Sequence, residues 1–230
     1  MKIRSLNNAT TLLKTDGFNF LLDPWLIGRL YNGAWSPFVE ILDLEFLNNI
    51  DAVFISHIHE DHWDIKTMEL LSREIKIYLP NMIVNRVIVN KLNEIGFKNI
   101  QSVDFGEVIK IGKIFEFSII PPLNSFGQEL ENYIEGYESD ATNIDTGLFV
   151  RDLKSETNHI FLFDNSPYDL SNLKSFIDIK LTTLWYPFNS YAQDYPLVYG
   201  FNKYEKERIH DEMHLKRMKA VHKCVDFLKP

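Results

Sequence analysis

Three of the seven histidines fall within six residues, in Ser56-His57-Ile58-His59-Glu60-Asp61-His62-Trp63-Asp64. Neutral imidazole and carboxylate in one short stretch are the donors that zinc accepts, and iron or manganese accept them as well. His57 and His59 are two apart, so an extended backbone projects both rings to one side. Asp61 and His62 follow and can reach a second point a few ångströms away. Two ions about 3.5–4 Å apart can hold a bridging water, lower its pKa and polarise a substrate oxygen. The alternative reading is a set of surface histidines at the start of a helix.

The elements around the cluster are those that would have to position it. Asp51 to Ser56 is a short apolar run of the kind buried on both faces of a sheet. A helix over Ile65 to Leu71 follows, with Asp64 as its N-cap. The histidines therefore lie where a buried strand ends and a helix begins, the usual location of sites on α/β scaffolds. Upstream, the runs Ala9 to Lys14 and Phe18 to Asp23 flank Thr15-Asp16-Gly17 and predict a hairpin, stopped by Pro24. Downstream, strands are expected at Ile75 to Leu79, Ile100 to Val103, Val108 to Ile111 and Ile114 to Ile120. A helix over Ile83 to Ile95 closes at Gly96.

Pro121 to Thr142 and Tyr186 to Gly200 lack periodicity and read as loops. Gly147 to Arg151 and His159 to Phe163 read as strands, and Asn202 to Leu228 as one long helix. Its apolar side would carry Ile209, Met213, Ala220, Val221, Cys224, Val225 and Leu228. No linker or repeat divides the chain, so residues 1–230 are expected to form a single domain.

The chain carries 24 basic and 32 acidic residues, a net charge of −8. That balance disfavours nucleic acid as a partner and leaves a small-molecule substrate as the expectation. No segment approaches the roughly 20 apolar residues of a membrane span. Cys224 is the single cysteine, which excludes an internal disulfide and a cysteine-ligated Rieske cluster and suits a cytoplasmic setting. His210 and His214 have chelating spacing on a helix, yet no third ligand lies near them in sequence. They, His222 and His159 read as solvated side chains.

The His57–His62 motif resembles the metal-binding signature of the metallo-β-lactamase superfamily. Asn8-Ala9-Thr10-Thr11-Leu12-Leu13 and Phe20 to Leu26 are similar to the opening hairpin of its ascorbate-6-phosphate lactonase branch. Asp23-Pro24-Trp25-Leu26-Ile27-Gly28, with Gly33, Trp35 and Tyr195-Pro196, is similar to the hydrolase-like domain of CMP-N-acetylneuraminate hydroxylases. The resemblance implies an α/β fold, the four-layer αββα sandwich, and a hydrolase using a metal-bound hydroxide on a substrate such as an anionic sugar derivative. It assigns His57 and His59 to a first ion and Asp61 and His62 to a second, with Asp164 bridging. One or two zinc ions are implied, with iron or manganese as alternatives. Asp61 is the candidate catalytic residue, orienting the hydroxide or accepting its proton.

Two of the superfamily's ligands are absent. A third histidine would stand somewhere in Tyr137 to Asp145, where Glu138, Asp140, Asn143 and Asp145 are the substitutes and Asp140 is preferred. A further histidine normally follows a strand after the long helix, beyond Lys229-Pro230. The last strand is then missing from this polypeptide, supplied by another chain, or the second site is incomplete. An iron-dependent oxygenase or oxygenase-associated domain, and a non-catalytic binding protein on the same fold, are the alternative functions.

Overall fold

A computed structural model describes residues 1–37, 41, 43–122, 144–163, 173, 175, 179–186 and 202–228. Eleven strands among these residues form two sheets. The first runs β1(Lys2–Asn7), β2(Thr10–Thr15), β3(Phe18–Leu22), β4(Ala52–Phe54), β5(Lys76–Pro80) and β6(Ile100–Val103), neighbours in that order. The second has the order β11(Thr183–Trp185), β10(Thr157–Leu162), β9(Gly147–Asp152), β8(Phe115–Ile120) and β7(Val108–Ile111). The α-helices among the described residues are α1(Ile65–Glu69), α2(Arg86–Glu94) and α3(Lys203–Leu228), with short 3-10 turns in the connections.

Alternation along the strands generates the layers. In β2, β3 and β4, Leu12, Leu21 and Val53 face a core completed by Met68 and Leu71 near α1 and by Ile88 and Leu92 of α2. Their neighbours Leu13, Phe20, Leu22, Ala52 and Phe54 face the other sheet and meet Phe115, Phe117, Leu148, Val150 and Phe161. In the second sheet Phe149, Ile160 and Leu162 turn outward onto Cys224 and Leu228 of α3. A side-chain period of two on sheets covered on both faces thus yields helix, sheet, sheet, helix. The αββα expectation is met.

Local chemistry accounts for most boundaries. The hairpin turn is Asp16-Gly17, with φ of 46° and 81°, the left-handed pair that a two-residue hairpin loop demands. β1 adds a third antiparallel strand to that hairpin. Asp64 caps α1 by accepting from the Thr67 amide at 2.8 Å, as expected. The helix expected over Ile83 to Ile95 begins as a 3-10 turn at Ile83–Asn85 and becomes α-helical only at Arg86. β11 was not expected: Thr183–Trp185 is three residues long, too short for a periodic signal, and pairs in parallel with β10. The loop segments 123–143 and 187–201 lie outside the described residues.

Asp152, at the end of β9, is 1% exposed. Burial alone would raise its pKa. The Thr15 hydroxyl at 2.6 Å, the Lys154 and Ser155 amides at 2.9 Å and the Met1 ammonium at 3.0 Å outweigh burial and hold the carboxyl well below its ordinary range. A depressed folded pKa contributes stability that is complete above the unfolded value of about 4 and fades as pH falls toward the folded value. The stability advantage of the wild type over Asp152→Asn should therefore shrink as pH drops below about 4. Urea unfolding across an acid pH series measures it.

Candidate metal centre

β3, β4 and β5 run parallel, so their C-terminal ends share one edge of the sheet. The chain leaves β4 at Phe54 and reaches Ser56 and His57, both fully buried, at that edge. From the second sheet, Asp145 and Thr146 arrive just before β9, and the Thr146 hydroxyl donates to the Ser56 carbonyl at 2.9 Å. Gly147, which opens β9, fits tightly between the neighbouring strands of its own sheet: a Cβ there would lie 3.1 Å from the Phe161 carbonyl and 3.2 Å from Ile120. The ends of two sheets thereby meet at one point.

At that point His57, His59 and Asp145 bring ligand atoms within 4.8 Å of one another. His57 Nε2 lies 2.9 Å from His59 Nδ1 and 3.4 Å from Asp145 Oδ1. Metal bonds of about 2.0–2.1 Å set cis donors about 3 Å apart in an octahedron and about 3.4 Å apart in a tetrahedron. The observed separations match such edges, and two imidazoles with a carboxylate are a fitting donor set for zinc or iron. A buried carboxylate facing two ring nitrogens is also an arrangement that a shared cation stabilises.

Hydrogen bonds assign the tautomers. Asp23, fully buried at the end of β3, accepts from the Ser56 amide and the Ser56 hydroxyl, each at 2.7 Å. With its hydrogen committed to Asp23, the Ser56 oxygen accepts from His57 Nδ1 at 2.8 Å. His57 Nε2 then carries no hydrogen and faces His59 Nδ1 and Asp145. Asp23 also receives His62 Nδ1 at 2.7 Å, which leaves His62 Nε2 without a hydrogen. One carboxylate thus orients two candidate ligands, as the outer partners of metal-bound histidines do. Burial pushes the Asp23 pKa up, against the opposing pull of its contacts with His62 and Ser56.

Asp61 and His62 sit in a 3-10 turn over Glu60–His62, with Asp61 Oδ2 3.6 Å from His62 Nε2. His62 packs against His57, ring centroids 4.0 Å apart. The cluster is therefore internal: His57 and His62 are buried and His59 is half-buried, unlike exposed histidines at a helix start. Asp164 lies outside the described residues, as does Asp140. Of the four substitutes for the third histidine, Asp145 is the one among the described residues, and it stands with His57 and His59.

Asp23 had no assigned role in the sequence. No local signal marks it: β3 lies parallel beside β4, and only that pairing brings an acid just past Leu22 to the same edge as the histidines. His159 corrects the solvated reading. It is 3% exposed and held between Thr157 and Thr183, because β11 covers it. His214 and His222 are exposed as expected, and the His210 side chain is outside the described set. Cys224 is buried in the core, and burial raises its thiol pKa.

A family model described as a beta-lactamase superfamily domain matches residues 2–169, well over half of the chain. This chain belongs to that superfamily. Cytidine monophosphate-N-acetylneuraminic acid hydroxylase of Asterias rubens is 32% identical over 129 residues, covering 52% of this chain and 19% of the relative. The chain spans about a fifth of the length of the curated relatives it matches. Among solved structures sharing the beta-lactamase superfamily fold, isothiocyanate hydrolase from Delia radicum gut bacteria has a TM-score of 0.60 at 20% identity. That match covers 80% of this chain and 70% of the other. A mutant of CmlA beta-hydroxylase has a TM-score of 0.63 at 19% identity, covering 99% of this chain and 44% of the other. CmlA from Streptomyces venezuelae is a diiron beta-hydroxylase. No helix among the described residues is long and apolar enough to cross a membrane.

Proposed function

We propose that this chain is a metal-dependent hydrolase acting on a small molecule with an electrophilic carbonyl or phosphoryl centre. The observation that carries it is the convergence of His57 Nε2, His59 Nδ1 and Asp145 Oδ1 at the edge where both sheets end. A bound ion supplies Lewis acidity and lowers the pKa of water there. His57, His59 and Asp145 would hold it, while Asp23 keeps the ring nitrogens of His57 and His62 unprotonated on the site side. Asp61, 16% exposed beside His62, would orient the attacking water or take its proton. His62 and Asp61, with Asp164 as bridge, would hold a second ion. Zinc is the first candidate for both positions, and an anionic sugar derivative is the substrate class the hydroxylase relatives favour.

Asp145 in place of a third imidazole favours a second reading. Two histidines and one carboxylate form the donor set of non-haem iron oxygenases, and named relatives are hydroxylases. Protein purified without added metal separates the two readings by elemental analysis. The hydrolase reading expects zinc or manganese, with chelator-sensitive hydrolysis of a panel of lactones, esters and phosphoesters restored by that metal. Iron, with oxygen consumption and no hydrolysis, would replace it by the oxygenase reading.

A further inference from the structure

Beside the candidate centre, the backbone does something costly. Tyr31, Asn32 and Gly33 are consecutive left-handed residues, with φ of 49°, 56° and 89°. A bulky aromatic residue rarely adopts that conformation, and such outliers persist where the surroundings over-determine them, commonly at functional sites. Here the loop is pinned at both levels. Leu30 and Trp35 close it with paired backbone hydrogen bonds of 2.9 and 3.3 Å. The Tyr31 amide donates to Glu60 Oε2 at 3.3 Å, and the Tyr31 hydroxyl donates to Asp61 Oδ1 at 2.7 Å. The Trp35 ring stands edge-on to Tyr31, centroids 5.3 Å apart, and steadies the phenol although both rings are about two-fifths exposed.

This arrangement divides the two oxygens of Asp61. Oδ1 receives the phenol, and Oδ2 is on the side of His62 Nε2, 3.6 Å away. We propose that Tyr31 is a positioning residue that holds Asp61 with a single oxygen presented toward His62, and thereby sets the affinity of the second metal position. The inference rests on the metal reading above, yet it concerns one step of metal uptake. Outer hydrogen bonds of this kind are worth about 10–100-fold in metal affinity.

Stepwise cobalt(II) titration of the metal-free full chain, followed by calorimetry and by cobalt absorption, tests it. Wild type should take up two equivalents. Tyr31→Phe should keep the first binding constant and weaken the second by about 10–100-fold, with an unchanged metal-free Tm. Trp35→Ala, which keeps the hydroxyl, should leave the second step within about threefold of wild type, below the loss expected of the missing phenol. A Tyr31→Phe second step equal to wild type overturns this inference alone. Equal weakening of both steps, or a Trp35→Ala loss as large as that of Tyr31→Phe, also overturns it, because either marks a merely structural loop. Wild type binding one equivalent overturns it while sparing the His57, His59 and Asp145 site, and no uptake removes both.

Discussion

His59→Ala is expected to bind metal more than about 100-fold more weakly than wild type while its metal-free fold stays intact, since loss of a direct ligand should exceed loss of an outer partner. His59 is half-buried, and its carbonyl, which accepts from the His62 amide at 3.0 Å, belongs to the backbone and survives the change. The consequence is visible without a substrate. Metal at about 1,000 times its dissociation constant stabilises a folded protein by about 4 kcal/mol. For a chain of this length that corresponds to a rise in Tm of about 8–16 °C. Wild type should show the rise on adding metal and His59→Ala should lose most of it, with hydrolytic activity lost in parallel. Differential scanning calorimetry with and without metal checks the first part. His57 would be a poorer choice for the same test, because it is fully buried and tied to Ser56.

Asp145→Asn should show the second large effect. The change is nearly isosteric, so the buried packing and the Thr146 bond to Ser56 remain. It removes the negative charge opposite His57 and replaces a carboxylate oxygen by a weaker neutral donor. Affinity for a divalent ion should fall by more than about 100-fold, by the same comparison with outer partners. The effect should be larger for iron and manganese than for zinc, because the harder ions depend more on anionic oxygen. Competition titrations with a chromophoric chelator would read both the drop and its ordering. Equal affinity in wild type and Asp145→Asn would place Asp145 outside the coordination sphere.

Much of this architecture was legible because it is written in local periodicity. The Asp16-Gly17 turn, the Asp64 cap and the Gly96 helix end each need one specific backbone chemistry, and the sequence supplies it. The histidine cluster was legible for a related reason: its members are within six residues, so strand and turn geometry alone bring them together. What stayed hidden depends on pairing across long separations. Asp145 is 88 residues beyond His57, and nothing local in the sequence separates it from the acids near it; β9 and the Thr146 contact are what bring it to the histidines. Asp23 was hidden because Pro24 accounts for the strand's end by itself, and only the pairing of β3 with β4 brings the acid to the site. His159 was misread because a three-residue strand covers it.

Crystals of the full chain grown with zinc or iron(II), measured at both absorption edges, would show whether an ion sits among His57, His59 and Asp145. An anomalous peak within about 2.3 Å of the His57 and His59 rings and of a carboxylate oxygen of Asp145 is the predicted result. Rings turned away from one another with no peak between them, in protein saturated with either metal, would contradict it.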